Sequence, residues 1–361
     1  MLTRLRRLDW ILTVVVLLLT LIGVVAIYTI TFPTVGFALA RSQLIFAGIG
    51  LVLATLFMSI DYRSWTSLSV FLYILGVVLL GAVFIVGSEQ FGAVRWLDLG
   101  VFQLQPSEVM KLFLILIMAR LLSRWGEAIT WQRMSIMIIV TILPFTMVFL
   151  QPDLGTASVL AVISFGFLAY AKLPARWWAV LLGVAIVCLP ILYVNLQPYQ
   201  KDRIETFVTP SHDVLGEGYN VRQAKIAIGS GGLLGQGLGQ GSQSQLNFLP
   251  VAHTDFIFAG LAEATGLLGS TILLLLYLVM FGRIYRLAEL AKDSLGMYLA
   301  IGIVVMLSFQ TIVNIGMNIG LLPVTGIPLP FVSYGGTALL LNYICLGILQ
   351  SMYVRHKKIT F

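Results

Sequence analysis

Between Leu246 and Leu268 the chain reads LNFLPVAHTDFIFAGLAEATGLL, which puts His253, Asp255 and Glu263 where a polar loop feeds an apolar helix. An ionisable group at such a junction costs free energy unless it is paired or used. Asp255 is therefore either a helix cap or a carboxylate turned to a cavity, where it can exchange a proton. Glu263 follows eight residues later, on nearly the same helix face, so the pattern directs both carboxylates toward one cavity. His253 has no second histidine at ligand spacing, and no zinc site is expected.

Two further clusters share a Gln-Pro opening. In Gln105-Pro106-Ser107-Glu108-Val109-Met110-Lys111 a proline occupies the first helical turn, and Glu108 and Lys111 lie three apart on one face. They read as a buried ion pair or as the charged wall of an outward-facing cavity. In Gln151-Pro152-Asp153-Leu154-Gly155-Thr156 the acid Asp153 is placed to cap a helix or to join a site shared with the first cluster.

The elements that position these residues are membrane spans. The 361 residues are 59% hydrophobic and 10% charged, far from the roughly 45–50% and 25% of soluble domains. Ten apolar runs are long enough to cross about 30 Å of hydrocarbon. They lie near 10–30, 43–60, 67–87, 107–123, 133–149, 154–171, 176–195, 257–282, 295–317 and 333–354. The fold expected is an all-α polytopic bundle of about ten transmembrane helices in one integral domain, 1–361. The first run is followed by further spans, so a retained helix is expected rather than a cleaved signal. Cys188 and Cys345 fall inside spans and act as small hydrophobes.

Ten spans put both termini on one side. Fifteen of the 22 basic residues then fall there: Arg4, Arg6, Arg7, Arg63, Arg120, Arg124, Arg133, Lys172, Arg176, Arg283, Arg286, Lys292, Arg355, Lys357 and Lys358. That side is the cytoplasm by the positive-inside bias, so the net charge of +7 is a topology signal and no nucleic-acid partner is expected.

One connection is long. The extracytoplasmic loop 196–255, between the seventh and eighth spans, is of a length usually functional or disordered, and its composition favours order. It holds an amphipathic helix, Tyr219 to Ile228, ended by Gly229, followed by GSGGLLGQGLGQG. No Gly-Lys-Ser/Thr follows the glycines, so they read as a flexible or tightly turning re-entrant segment and not as a nucleotide loop. Asn314 to Gly336 breaks the membrane pattern with Pro323, Pro328 and Pro330 and is expected to line the same cavity, with Ser333 capping the last span.

Seven motifs in order resemble the SEDS family of bacterial cell-wall proteins (shape, elongation, division, sporulation), most nearly its rod-shape branch, over essentially the whole chain. They are Gly92-Ala93-Val94-Arg95-Trp96-Leu97, the 105–111 and 151–157 stretches, Tyr199-Gln200 through Arg203, the glycine-rich loop, His253-Thr254-Asp255-Phe256-Ile257-Phe258, and Pro330-Phe331-Val332-Ser333-Tyr334-Gly335-Gly336. The resemblance implies a peptidoglycan glycosyltransferase that polymerises lipid II during cell elongation on the outer face of the cytoplasmic membrane. It also implies a class B penicillin-binding protein as partner and Asp255 as the catalytic carboxylate. Val251, Ala264 and Gln236 stand where relatives often carry Glu, Glu and Lys.

On that reading Asp255 is the general base for a sugar 4-hydroxyl that displaces a diphosphate from C1 with inversion, giving a β-1,4 link. Lys111, Arg203, Arg222 and Lys225, with Arg95 behind them, are the cations for the departing diphosphate, and Glu108, Asp153 and Glu263 complete the substrate-binding walls. No cofactor is required, although a divalent cation on the diphosphate would share the task. The prenyl tail would lie between spans among membrane lipid. The alternative is a lipid II flippase, which also needs intramembrane charge and broken helices, though no clear inverted repeat is visible. A scaffold for the crosslinking enzyme would need no charged cavity.

Overall fold

The computed structural model describes residues 8–90, 93–98, 100, 103–126, 130–171, 173–194, 196–208, 217–246, 248–249 and 251–356. Arg4, Arg6, Arg7, Gly92, Lys172, Lys357 and Lys358, named above, lie outside them.

Each of the ten apolar runs is occupied by a helix. In chain order α1 is Trp10–Val35, α2 Ala38–Ser59, α3 the short Tyr62–Ser67 and α4 Ser69–Val86. They are followed by α5 Pro106–Trp125, α6 Trp131–Leu150, α7 Leu154–Tyr170 and α8 Ala175–Val194. The outer loop carries α9 Pro198–Val208, α10 Glu217–Ser230 and α11 Ser242–Gln245. The chain closes with α12 Ile257–Glu289, α13 Ser294–Asn318 and α14 Gly336–His356. Among the described residues seven helices are long and apolar enough to cross a membrane: α1, α2, α4, α6, α12, α13 and α14. The apolar helix α7 is shorter.

Four starts are fixed by aspartate. Asp9, Asp61, Asp153 and Asp293 accept from the backbone N–H groups of Leu12, Arg63, Thr156 and Gly296, the orphan donors of a first turn. The core runs through α1, α5, α7, α13 and α14, and its helices approach through small residues. A methyl group on Gly347 of α14 would fall 2.5 Å from the Ala54 carbonyl oxygen of α2. Large apolar side chains on the outside, such as Ile85 at 85% and Leu278 at 65% exposure, form a surface suited to hydrocarbon.

Three features differ from the sequence reading. The fold is not purely helical: Ser88–Gln90 (β1), Ala93–Asp98 (β2) and Gln103–Leu104 (β3) form an antiparallel sheet in order β1-β2-β3, with Leu97 opposite Leu104. Strands of two to six residues are too short for alternation to reveal. The helix expected to end at Gly229 continues to Ser230, and the turn comes at Gly232, whose φ is +53°. Helix α12 breaks at Gly266, φ +66°; the carbonyls of Gly232 and Leu233 accept from the N–H groups of Leu267 and Leu268, at 2.9 and 3.1 Å. The glycine-rich loop is thus docked on the break in α12.

Polar contacts gather at the two ends of the bundle. At one end Arg283 meets Asp9 and Arg63 meets Asp293, each at 2.7 Å, and Arg355 meets Asp61 at 3.4 Å. These arginines belong to the side read as cytoplasmic. The residues singled out for chemistry collect around the opposite ends of the helices.

Candidate active site

Asp255 lies two residues before α12 and is half-buried. Its backbone carbonyl accepts from the side-chain amides of Asn314 and Asn318 on α13, both at 3.0 Å. Its carboxylate faces the irregular segment 319–335 that links α13 to α14. A methyl group on Gly326 would sit 3.6 Å from Asp255 Oδ2, and Gly326 has φ +72°, where a side chain is strained.

The neighbouring residues are fastened to the same segment. Ser333 Oγ donates to the Thr254 carbonyl at 2.6 Å and accepts from Leu329 N at 2.9 Å, while Tyr334 N donates to the His253 carbonyl at 3.0 Å. Ser333 is therefore a clasp across the site and not the cap of α14, which begins three residues later. Burial pushes the His253 imidazole below its usual 6.5, so the ring beside Tyr334 is neutral at pH 7.

A groove of about 260 Å³ opens beside this strap. Arg203 of α9 and Arg222 and Lys225 of α10 supply its charge, and Gly320, Leu322, Pro323 and Val324 form the facing wall. The Lys225 side chain lies across Gly320, where any side chain would collide with it. Val324 and Gly326 are two residues apart, so the cationic groove and the carboxylate both border one short strap. The three loop cations named from sequence are thus brought together. One wall charged and one apolar suits an amphiphilic anion.

The two Gln-Pro starts do meet. Gln105 Nε2 donates to Asp153 Oδ2 at 3.3 Å, and Arg95 donates to the carbonyls of Gln151 and Pro152. Asp153 is buried and caps α7 through Thr156 N at 3.0 Å. Directly behind it, a methyl on Gly155 would lie 2.5 Å from the Thr325 carbonyl, so α7 begins against the back of the strap. Asp153 thus caps a helix whose first turn packs on the strap, and Asp255 lies beside the same segment.

The structure places Glu108, Lys111 and Glu263 elsewhere. Glu108 and Lys111 pair at 2.7 Å with 3% and 1% of their surfaces exposed, inside the bundle and not on an open wall. Glu263 is fully buried and accepts from Gln243 N at 2.8 Å and Ser244 N at 3.0 Å, capping α11. The backbone of Glu263 and Ala264 also accepts from the N–H groups of Gln236 and Gly237. Glu263 therefore anchors the glycine-rich loop, both of its carboxylate oxygens being taken by backbone N–H groups of α11. Asn314, Asn318 and Ser333 carry the local architecture. The two asparagines have a visible signal, paired amides at helical spacing within an apolar run. Among the described residues no three His, Cys, Asp or Glu side chains come together to hold a metal ion.

The family pattern described as cell cycle protein, FtsW/RodA/SpoVE, matches residues 9–358. The peptidoglycan glycosyltransferase MrdB of Escherichia coli (strain K12) is 41% identical over 316 residues, covering 86% of this chain and 84% of its own. Among solved structures, a chain from work described as the structural coordination of polymerization and crosslinking by a peptidoglycan synthase complex superposes with a TM-score of 0.81. It is 29% identical and covers 97% of this chain and 98% of its own. The rod shape determining protein RodA of Thermus thermophilus gives 0.72 at 29% identity, covering 96% of each chain.

Proposed function

This chain belongs to the FtsW/RodA/SpoVE family of cell cycle proteins, and on that premise we propose that it polymerises lipid II into β-1,4-linked glycan during cell elongation, with Asp255 as the base. It is a peptidoglycan glycosyltransferase, as its relative MrdB is named. The observation that carries the finer reading is the strap: a half-buried carboxylate lies beside Gly326, and a groove carrying three cations is lined by Gly320 to Val324 of the same segment. A glycosyl transfer needs that division of labour, because proton removal and leaving-group stabilisation occur on opposite faces of the reacting carbon.

The acceptor's 4-hydroxyl gives its proton to an Asp255 carboxylate oxygen as the hydroxyl oxygen bonds to C1 of the donor. The C1–O bond to the diphosphate breaks, the electron pair leaves with the phosphate oxygen, and C1 inverts. Base assistance of this kind contributes about 10² to 10⁴ in rate, or about 3 to 5 kcal/mol. Arg203, Arg222 and Lys225 meet the charge that grows on the diphosphate, which stabilises the transition state beyond the ground state. Lys111, paired within the bundle, sets the packing of α5 rather than meeting the substrate. Among the described residues no cluster of three His, Cys, Asp or Glu offers a divalent cation a cage, so such an ion would be held mainly by the diphosphate.

The basic end of the bundle is read as cytoplasmic, which turns the Asp255 end outward, toward the cell wall, in a multi-pass inner-membrane protein. The solved relative drawn from a peptidoglycan synthase complex supports a crosslinking partner, a class B penicillin-binding protein. The test uses purified protein with such a partner and lipid II. Glycan chains should form in detergent, and lipid II should not cross sealed vesicles. Lipid movement without polymer would replace this reading with the flippase.

A further inference from the structure

We infer that Asn314 and Asn318 are positioning residues for Asp255, two buried amides that fix the carboxylate and the wall opposite it as one unit; this rests on the reading of Asp255 as base. Both are on α13, four residues apart on one face, and both are fully buried.

Their hydrogen bonds divide into two tasks. Asn318 Oδ1 accepts from Ala259 N at 3.0 Å, a first-turn donor of α12 that it shares with the Phe256 carbonyl at 3.1 Å, and its amide donates to the Asp255 and Asn314 carbonyls at 3.0 and 2.8 Å. Asn314 donates to the Asp255 carbonyl at 3.0 Å and to the Ile327 carbonyl at 2.8 Å. Ile327 adjoins Gly326, the residue that faces Asp255 Oδ2.

Asn314 therefore ties the Asp255 backbone and the strap residue next to Gly326 together from one amide group. With its peptide carbonyl tied at two points, Asp255 cannot swing its Cα–Cβ bond without breaking buried hydrogen bonds. A displacement of about 1 Å in a reacting group costs on the order of 10²-fold in rate. Helix stability alone does not need two donors on a carbonyl that precedes α12.

The test compares Asn314→Ala and Asn318→Ala with Thr20→Val, which removes a buried hydrogen bond of 3.0 Å to Tyr343 in the bundle core. All three should lower the unfolding temperature. Only the asparagine variants should lower kcat for polymerisation, by about 10- to 100-fold, with KM for lipid II changed less than about threefold. If either alanine variant fails to fold, Asn314→Ser and Asn318→Ser carry the same comparison. Wild-type kcat in the asparagine variants, or an equal loss in Thr20→Val, would overturn the inference. Asp255→Asn is run alongside: if it stays active the base reading fails, and if it is dead while the asparagine variants keep kcat, only the positioning role fails.

Discussion

Asp255 has separate surroundings at its two ends, a carbonyl tied to α13 and a carboxylate beside Gly326. Its place at a loop-to-helix junction was legible in the sequence, as was the cap role open to Asp153. Glu263 was not, because helical spacing gives the face a residue occupies and says nothing of the segment that covers it. Here residues 236–244 fold over that face and take both carboxylate oxygens. The Glu108–Lys111 pair shows the same limit: spacing identifies the pair, and packing decides that it is sealed. Removing one partner strands a buried charge. Lys111→Met should cost about 3–5 kcal/mol in thermal unfolding, and the double variant Lys111→Met with Glu108→Leu distinctly less. Equal losses in the single and the double variant would show that the pair is not the source of the cost.

Helices were the most legible elements because each apolar run is long, and the run boundaries fall within several residues of the helix ends. The three-stranded sheet was hidden in strands too short to alternate, and the break in α12 depended on one glycine whose partners lie some thirty residues upstream. The glycine-rich loop reads as flexible from composition alone. It is held because backbone carbonyls on either side of it are used and because Glu263 caps α11. Glu263→Gln replaces one acceptor oxygen with a donor that faces backbone N–H groups. The loss should be about 1.5–3 kcal/mol, since hydrogen bonds to a charged group are involved. Hydrogen exchange should quicken at residues 236–244 and stay unchanged across α13; unaltered protection in the loop would remove Glu263 as its anchor.

At the scale of the molecule, polar networks close both ends of an apolar bundle, and their titration sets a stability window. Burial pushes the Asp293 carboxyl up, but hydrogen bonds from Gly296 N, Arg63 and Tyr62 outweigh it and leave its pKa below the usual 3.8. Burial, reinforced by Asp293, raises the Tyr62 phenol from 10.0 to about 12. A lowered acid contributes stability that is lost as pH falls through its folded pKa, and a raised phenol contributes stability that is lost as pH rises from 10 toward 12. His253, lowered by burial, adds a loss as pH drops below 6.5. The unfolding temperature should be flat from about pH 6.5 to 10 and fall on both sides. Tyr62→Phe should remove part of the alkaline fall, and an unchanged alkaline limb would contradict the assignment. At the other end of the bundle the strap borders both the Asp255 carboxylate and the cationic groove. The most direct measurement is the initial rate of glycan polymerisation from lipid II by Asp255→Asn with the proposed crosslinking partner, in protein whose unfolding temperature matches wild type. A fall of about 10² to 10⁴ is predicted; a rate within a few-fold of wild type would contradict the account.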